Sequence, residues 1–138
     1  QQYRRIHQPF SILLADLDNF KFINDRYGHD AGDRVLLAMG QVLSDALRRE
    51  DTVARWGDNE FMVLLPCASN KTATHIAERL RLAAGELDMD ARGDKLMISL
   101  SIGIASIDKC IDIDDLLSTA ENGLYQAKQM GRDMVVAG

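Results

Sequence analysis

The pattern of apolar and polar residues predicts alternating strands and helices along the chain. Residues 10–16 form a nearly continuous apolar run, which is typical of a strand buried on both faces. Residues 19–27 have the pattern of a short helix that Gly28 closes, and a longer helix is predicted over 31–49. The longer helix places its apolar residues on one stripe with three leucines beside it, namely Val35, Met39, Val42 and Ala46 with Leu36, Leu43 and Leu47.

The second half of the chain continues this alternation. A β-hairpin is predicted at about 52–66, where Pro66 stops it, and a helix follows whose apolar residues keep helical spacing: Ala73, Ile76, Ala77, Leu80, Ala83, Ala84 and Leu87. Residues 96–106 predict a strand, because apolar side chains alternate there with small or polar ones. Its two faces are Leu96, Ile98, Leu100, Ile102 and Ile104, and Ser99, Ser101, Gly103 and Ala105. A last amphipathic helix is predicted over 113–130 and a closing strand at 134–136.

The predicted order of elements is β-α-α-β-β-α-β-α-β. A hairpin within an α/β alternation implies a mixed or antiparallel sheet, because a doubly wound parallel sheet connects its strands through helices. We therefore predict an α/β fold of the α+β type, with a central five-stranded mixed or antiparallel sheet flanked by helices. The length of 138 residues is that of a single domain spanning residues 1–138.

Composition and charge argue against several classes of protein. The net charge of −5 disfavours a sequence-independent nucleic-acid binder, because such proteins neutralise phosphates with a basic face. No apolar stretch has the length of a membrane span and no signal-peptide pattern occurs, so we expect no direct membrane insertion. Cys67 and Cys110 lack metal-ligand spacing and are expected to be free thiols in a reducing cytoplasm. Because the chain begins with Gln1, we expect it to be a fragment of a longer protein.

Three short segments carry residues suited to phosphate or metal chemistry. Asp16–Lys21 ends the first predicted strand, where carboxylates suit Mg²⁺ and the N–H groups of the turn suit phosphate. Residues 57–61 form a Gly-Asp-Asn-Glu-Phe hairpin tip, and Ala127–Arg132 is a helix end with two cations. Each segment has an ordinary alternative. The acids would cap a helix, which is the preferred interpretation for that pair alone, and the cations would favour a helix C-terminus.

Together, these segments resemble the GGDEF domain, the diguanylate cyclase module of bacterial signalling. The resemblance extends from about residue 10 to the end, and it is carried by five segments: 16–25, 28–33, 55–61, 101–105 and 124–132. It implies a nucleotide-cyclase, ferredoxin-like arrangement of the sheet. The Leu-Thr-Gly-Leu segment usual in the family is absent, so the N-terminal part of the domain is expected to be trimmed.

The resemblance also implies a chemistry and a set of site residues. Active members join two GTP molecules, one held by each domain of a homodimer, into cyclic di-GMP and release two pyrophosphates. By resemblance, Mg²⁺ would be bound by Asp16, the backbone carbonyl of Leu17, and Glu60. Asn24 and Asp33 would read the guanine edge. The phosphates would be contacted by Lys21, Lys128 and Arg132.

The signature turn departs from the family pattern at two positions. Asp58 stands where a second glycine lets the backbone approach the nucleotide, and Asn59 stands where a carboxylate would bind metal. If Asp58 faced the triphosphate at about 5 Å, repulsion at an effective dielectric constant of ~20 would cost roughly 3 kcal/mol. That cost corresponds to about two orders of magnitude in rate. The degenerate catalytic turn of Asp58, Asn59 and Glu60 therefore predicts weak or absent cyclase activity and a weakened Mg²⁺ site, although a rearranged turn would keep activity.

A second candidate site is the Arg48-Arg49-Glu50-Asp51 segment at the end of the long predicted helix. It matches the inhibitory Arg-x-x-Asp motif of the family, which by resemblance binds cyclic di-GMP. Arg79, from the same chain or from a neighbouring subunit, is the predicted third member of this site, with Arg81 as its competitor. The alternative is a solvated helix end with an ion pair between Arg48 and Asp51.

We therefore favour a cytoplasmic, degenerate GGDEF domain that binds cyclic di-GMP through Arg48, Asp51 and Arg79 and is weak or inactive in making it. One alternative is an active, product-inhibited diguanylate cyclase. The other is a regulatory domain that binds GTP without turnover.

Overall fold

The computed structural model describes residues 8–138, and it confirms the predicted order of the main elements. The strands are β1 (Phe10–Leu17), β2 (Thr52–Arg55), β3 (Glu60–Pro66), β4 (Asp90–Ala91), β5 (Asp94–Lys95), β6 (Leu100–Ser106) and β7 (Val135–Ala137). The helices are α1 (Phe20–Tyr27), α2 (His29–Ala46), α3 (Asn70–Gly85) and α4 (Ile113–Gln129), and a 3₁₀ turn at Ile107–Lys109 joins β6 to α4.

The central sheet has five strands in the order β2-β3-β1-β6-β7. Strand β1 pairs with β3 and β6, and β2 pairs with β3, all antiparallel, whereas β6 and β7 are parallel. The sheet is therefore mixed, as the sequence pattern predicted. The register sets Asp16 of β1 directly opposite Glu60 of β3.

Helices cover both faces of this sheet. Leu13, Ala15 and Leu17 of β1 belong to the larger core, which includes Ile23 of α1 and the apolar stripes of α2 and α3. Ile12 and Leu14 belong to a smaller core with α4. Because side chains alternate along a strand, Asp16 shares the α4 face with Ile12 and Leu14. This alternation brings its carboxylate to the last turn of α4.

The predicted long helix and the predicted strand at 96–106 were both too long. Helix α2 ends at Ala46 rather than at residue 49, because Leu47 is extended and the chain then turns, with Asp51 N donating to Arg48 O at 3.0 Å. Strand β6 begins at Leu100 rather than at residue 96, because Leu96 N instead donates to Met89 O at 2.8 Å.

The sequence pattern also missed two features of the 90–106 region. The two-residue strands β4 and β5 form a separate small hairpin, which is too short to show a periodicity. The small-residue face of β6 was expected to contrast with its apolar face, yet all seven residues of β6 are buried. Gly103 explains this burial, because a Cβ there would lie 2.1 Å from the backbone oxygen of Ala120. Only glycine lets α4 approach β6 this closely.

Side-chain caps fix where α3 and α4 begin. Ser69 accepts a hydrogen bond from Thr72 N at the start of α3, and Asp112 accepts one from Asp115 N at the start of α4.

Within residues 8–138, no helix has both the length and the apolar content that crossing a membrane requires. Cys67 and Cys110 are free thiols, as predicted. They were expected to be buried or half-exposed, which holds for Cys110 but is wrong for Cys67, which is exposed.

Candidate functional site

A cavity of about 170 Å³ lies where β1 ends. We call it the β1 cavity. It is lined by Asp16, Leu17, Asp18, Asn19, Phe20, Lys21, Asn59, Lys128 and Arg132. The fold thus brings the end of β1, the hairpin tip and the end of α4 to one place. Five residues that the sequence assigned to metal or phosphate lie together here, namely Asp16, Leu17, Lys21, Lys128 and Arg132.

The acid and the cation of the cavity contact one another directly. Asp16 is 6% exposed, and its Oδ2 forms an ion pair with Lys128 Nζ. The side chain of Lys128 is 35% exposed, so its ammonium group has access to solvent as well as to Asp16. Lys21, at the cavity rim, is 89% exposed and pairs with Asp25 at 2.9 Å. Both cations are therefore accessible to an anionic ligand.

Glu60 lies across the strand pair from Asp16. Burial raises the pKa of its carboxyl group, the negative charge of Asp16 raises it further, and Lys128 opposes both effects. The carboxylate of Glu60 is therefore harder to form than that of an exposed glutamate. Lys128 is the positive charge next to both Asp16 and Glu60, so this corner of the site disfavours additional negative charge.

Asn59 ties the hairpin tip to the end of β1. Its Nδ2 donates to the carbonyl of Leu17 at 3.2 Å, and Leu17 N donates to Asn59 O at 3.0 Å. The amide must face Leu17 with its nitrogen, because the side-chain oxygen would repel the carbonyl oxygen. An N–H donor therefore occupies the carbonyl that the resemblance assigned to magnesium. A carboxylate at position 59 has no such donor and would leave that carbonyl free.

Two of the oxygen atoms that the resemblance assigned to magnesium make contacts within the chain. Mg²⁺ takes oxygen ligands, and here Asp16 Oδ2 pairs with Lys128 while the Leu17 carbonyl accepts a hydrogen bond from Asn59. Across residues 8–138, no group of three or more histidine, cysteine, aspartate or glutamate side chains is placed to hold a metal. A cation at this place would compete with the two contacts.

Asp58 lies at the exposed tip of the hairpin, outside the cavity lining. Arg55 fixes the tip by donating to the backbone oxygens of Gly57 and Asp58 at 3.2 and 2.8 Å. Trp56 N donates to Glu60 O at 2.8 Å and closes the turn. Since Asp58 is in solvent here, repulsion of a triphosphate by this side chain is screened. The structural departure that reaches the cavity is Asn59.

Asp18 is a buried carboxylate whose role the sequence did not reveal. It is 2% exposed and accepts hydrogen bonds from Ser99 Oγ and Ser101 Oγ, both at 2.7 Å, and from Asp133 N at 3.0 Å. The cap of α1 is Asn19, which is left-handed and makes no side-chain capping bond. The helix-capping interpretation of the two acids is therefore wrong, because Asp16 pairs with Lys128 and Asp18 joins three segments.

The two residues predicted to read guanine lie near the contact of α1 with α2, outside the lining of the β1 cavity. Asn24 Oδ1 is buried and has no hydrogen-bond partner among the described residues. It packs on Gly32, where a Cβ would lie 1.8 Å from that oxygen. Asp33 follows Gly32 and is exposed. A buried amide oxygen without a donor is unfavourable, so this corner has an unmet capacity for a hydrogen bond.

The predicted Arg-x-x-Asp site forms a turn after α2. The Asp51 side chain is 0% exposed, and Arg48 binds it through Nη2 to Oδ1 at 2.8 Å and through Nε to Oδ2 at 3.0 Å. Arg48 N also donates to Asp51 Oδ2 at 2.8 Å, and Nη2 donates to Pro66 O at 2.9 Å. The bond to Asp51 raises the pKa of the Arg48 guanidinium. The pair predicted as an alternative exists, but it is buried rather than solvated.

Arg79 lies next to this turn and Arg81 does not. Arg79 donates through Nε and Nη2 to Ala46 O at 3.2 and 2.8 Å, at the last residue of α2. Arg81 points elsewhere on α3, where it pairs with Glu78 and with Asp133. The structure thus favours Arg79 over Arg81 as the neighbour of Arg48.

With this geometry in hand, comparison with known proteins decides the family. The family described as diguanylate cyclase, GGDEF domain, matches residues 1–134. The chain belongs to the GGDEF family. Among curated proteins, diguanylate cyclase DgcM of Escherichia coli K12 is 39% identical over 136 residues, which cover 99% of this chain and 32% of that protein. The GGDEF chain thus spans about a third of the length of this relative.

Solved structures agree with this assignment and with the fold. The GGDEF domain of PA1120 from Pseudomonas aeruginosa has a TM-score of 0.90 at 35% identity, covering 99% of this chain and 86% of that one. A microbial GGDEF domain described for its interaction with cyclic di-GMP has a TM-score of 0.81 at 32% identity, covering 99% and 81%. Diguanylate cyclases of this family generally use Mg²⁺.

Proposed function

We propose that this GGDEF domain is a regulatory member of its family, which binds cyclic di-GMP beside the C-terminal end of α2 and has little or no cyclase activity. The observation that carries the proposal is that Arg79 binds the last carbonyl of α2, that of Ala46, while Arg48, in the turn that follows α2, is held by Asp51 and the carbonyl of Pro66. Cyclic di-GMP carries two phosphates and two guanine acceptor edges, and guanidinium groups bind both kinds of acceptor.

The two arginines retain donors for such a ligand. A guanidinium has five N–H groups. Arg48 uses Nε and Nη2 within the chain, while its Nη1 lies 3.6 Å from Glu50 at the surface. Arg79 is exposed and uses Nε and Nη2 on Ala46 O, so its Nη1 is available. The proposed contacts are therefore the outer edges of two guanidinium groups held about the same helix end.

Asp51 has a different role in this proposal from the one its motif implies. Because its side chain is fully buried and bound by Arg48, it orients that guanidinium rather than reading guanine itself. A ligand-reading role for Asp51 would require the buried pair to open.

The proposed weakness of cyclase activity rests on the β1 cavity. The Asn59 amide occupies the Leu17 carbonyl, and Lys128 occupies Asp16, so the donor set is poor for magnesium. Chemistry on GTP depends on charge stabilisation at the transferred phosphate. A site that binds metal poorly would hold phosphates with Lys21, Lys128 and Arg132 without accelerating their transfer.

Calorimetric titration with cyclic di-GMP tests the binding proposal. The more informative variant is Arg79→Gln rather than Arg48→Ala, because Arg79 is exposed and its replacement leaves no buried charge without a partner. We expect wild type to bind and Arg79→Gln to lose at least about tenfold in affinity, or about 1.4 kcal/mol.

The matched control is Arg34→Gln, since Arg34 is also an exposed arginine that donates to a backbone carbonyl, that of Asp90, at 2.8 Å. This variant should bind as wild type does. Absence of binding by wild type, or equal affinity of wild type and Arg79→Gln, would reject the proposed site.

A second candidate function is binding of GTP without turnover. It is favoured by the clustering of Lys21, Lys128 and Arg132 and by the unpaired Asn24 Oδ1. Titration with GTP and analysis of the products separates this function from the first. The homodimer and the cytoplasmic location remain predictions, and an active, product-inhibited cyclase is the alternative that a turnover assay would reveal.

A further inference from the structure

The segment that follows α4 has an unusual backbone. Gly131, Arg132 and Asp133 all have positive φ angles, of 121°, 67° and 49°. Glycine adopts such angles readily, but two consecutive non-glycine residues in this region cost free energy unless other contacts hold them. Arg132 lines the β1 cavity, so this strained segment carries one of the cavity's cations.

Two side chains from distant elements hold the segment. The buried Asp18 accepts a hydrogen bond from Asp133 N at 3.0 Å, and Ser99 and Ser101 fix Asp18 at 2.7 Å each. Arg81 of α3 donates through Nη1 to Asp133 Oδ1 at 2.9 Å and to Asp133 O at 3.4 Å. Asp133 is therefore bound on its backbone and on its side chain.

Arg81 is well placed to act as a fixed anchor. Its second guanidinium edge pairs with Glu78 one turn earlier on α3, and its side chain is only 20% exposed. Bonds to Glu78 and Asp133 both raise the pKa of Arg81, so it stays charged at every relevant pH. The anchor belongs to α3, which packs in the main core, while the segment it holds carries Arg132 at the β1 cavity.

We propose that Arg81 and Asp18 form a clamp on Asp133 that positions Arg132 at the β1 cavity. Among residues 8–138, the Arg132 side chain makes no hydrogen bond or ion pair, so its location is set by the backbone of residues 131–133, where Arg132 N also donates to Ala127 O at 2.9 Å. Arg81 is a positioning residue, because it acts on the phosphate side of the cavity through Asp133. The inference rests on the proposed contact of Arg132 with nucleotide phosphates.

The experiment combines NMR titration with amide exchange in Arg81→Gln. Titrations with a non-reactive GTP analogue and with guanosine, which lacks phosphates, separate a phosphate effect from a general one. We expect the affinity for the analogue to fall about tenfold while that for guanosine stays unchanged. The amide of Asp133 should exchange markedly faster with solvent, because one of its two anchors is lost.

A second variant, Asp133→Asn, tests the clamp in case Arg81→Gln fails to fold. Asp133→Asn keeps the residue's tolerance of a positive φ and its side-chain acceptor but removes the charge that Arg81 binds. It should fall between wild type and Arg81→Gln in both readouts. Lys71→Gln, the loss of an exposed cation on the same helix, should change neither.

The outcomes separate the clamp from the function it serves. The clamp would be overturned if Arg81→Gln lost affinity equally for the GTP analogue and for guanosine. It would also be overturned if the exchange rate of the Asp133 amide were unchanged in Arg81→Gln. If wild type does not bind the analogue, or Arg132→Gln binds it as well as wild type, the phosphate role of Arg132 fails. The Asp133 exchange rate then still decides whether Arg81 holds the segment.

Discussion

The β1 cavity and the Arg48–Asp51 turn each contain a buried acid paired with a partly exposed cation, but the two pairs differ in the number of contacts that hold them. At the cavity, the Asp16 side chain is 8% exposed and forms one ion pair with Lys128, whose side chain is 35% exposed. At the turn, the Asp51 side chain is 0% exposed and is held by two arms of Arg48, whose side chain is 26% exposed and whose backbone N–H also donates to it. A lysine is a flexible point charge, whereas the arginine fork fixes a carboxylate in one geometry.

This difference separates a contact that a ligand can replace from one that the fold requires. Lys128 holds Asp16 through one ion pair and its side chain is partly exposed, so a phosphate or a cation can compete for that single contact. Arg48 cannot leave Asp51 without stranding a buried carboxylate, which is strongly unfavourable. The Arg-x-x-Asp motif therefore has a structural role in this domain whether or not it also binds a ligand.

The largest effect expected from this comparison is on folding. Arg48→Ala should lower the free energy of unfolding by about 3–5 kcal/mol, because it leaves Asp51 buried without a partner. Chemical denaturation measures this change. The exposed Arg79→Gln should cost less than about 1 kcal/mol, and Arg48→Met combined with Asp51→Leu should recover most of the lost stability. An Arg48→Ala protein as stable as wild type would show that the pair is not structural.

The smaller effect is the pH dependence at the cavity. Since the pKa of Glu60 is raised in the folded domain, its stabilising contribution is fully present below the pKa of an unfolded glutamate. That contribution is lost as the pH rises through the folded pKa. Glu60→Gln removes this loss, so its stability relative to wild type should increase across that window.

Thermal unfolding between acidic and neutral pH, in metal-free buffer, measures the Glu60 effect. The control is Glu86→Gln, which replaces an exposed glutamate after α3. Its thermal stability should change with pH in the same way as that of wild type. If the stability of Glu60→Gln changed with pH in the same way as that of wild type, Asp16 and Glu60, which lie opposite one another on β1 and β3, would not interact as the geometry indicates.

Much of the fold could be predicted because its long elements carry clear periodicities. The buried run of β1 and the apolar stripe that Val35, Met39 and Leu43 form on α2 both appear in the core as expected. The end of α2 was misplaced because Leu47 and Arg48 are good helix formers, and only the buried pairing of Asp51 with Arg48 shows why the chain turns there.

Part of the cavity lining could be predicted, but its contacts could not. Motif resemblance grouped Asp16, Lys21 and Lys128, and the structure brings all three to one cavity, whereas Asn24 and Asp33 lie outside its lining. The hydrogen bond from Asn59 to Leu17 and the clamp on Asp133 depend on residues 42 and 115 positions apart in sequence. No local pattern encodes such contacts, although the position of Asp18, directly after a buried strand, was a signal that it needed partners.

The measurement that tests the central claim most directly is production of cyclic di-GMP from GTP by the dimerised domain with Mg²⁺ or Mn²⁺. We expect no multiple turnover by wild type. Asn59→Asp combined with Asp58→Gly should raise the rate by at least about 100-fold, about 2.7 kcal/mol in the barrier. Most of that gain should come from Asn59→Asp alone, which removes the donor from the Leu17 carbonyl. Repeated turnover by the wild-type domain would contradict the account.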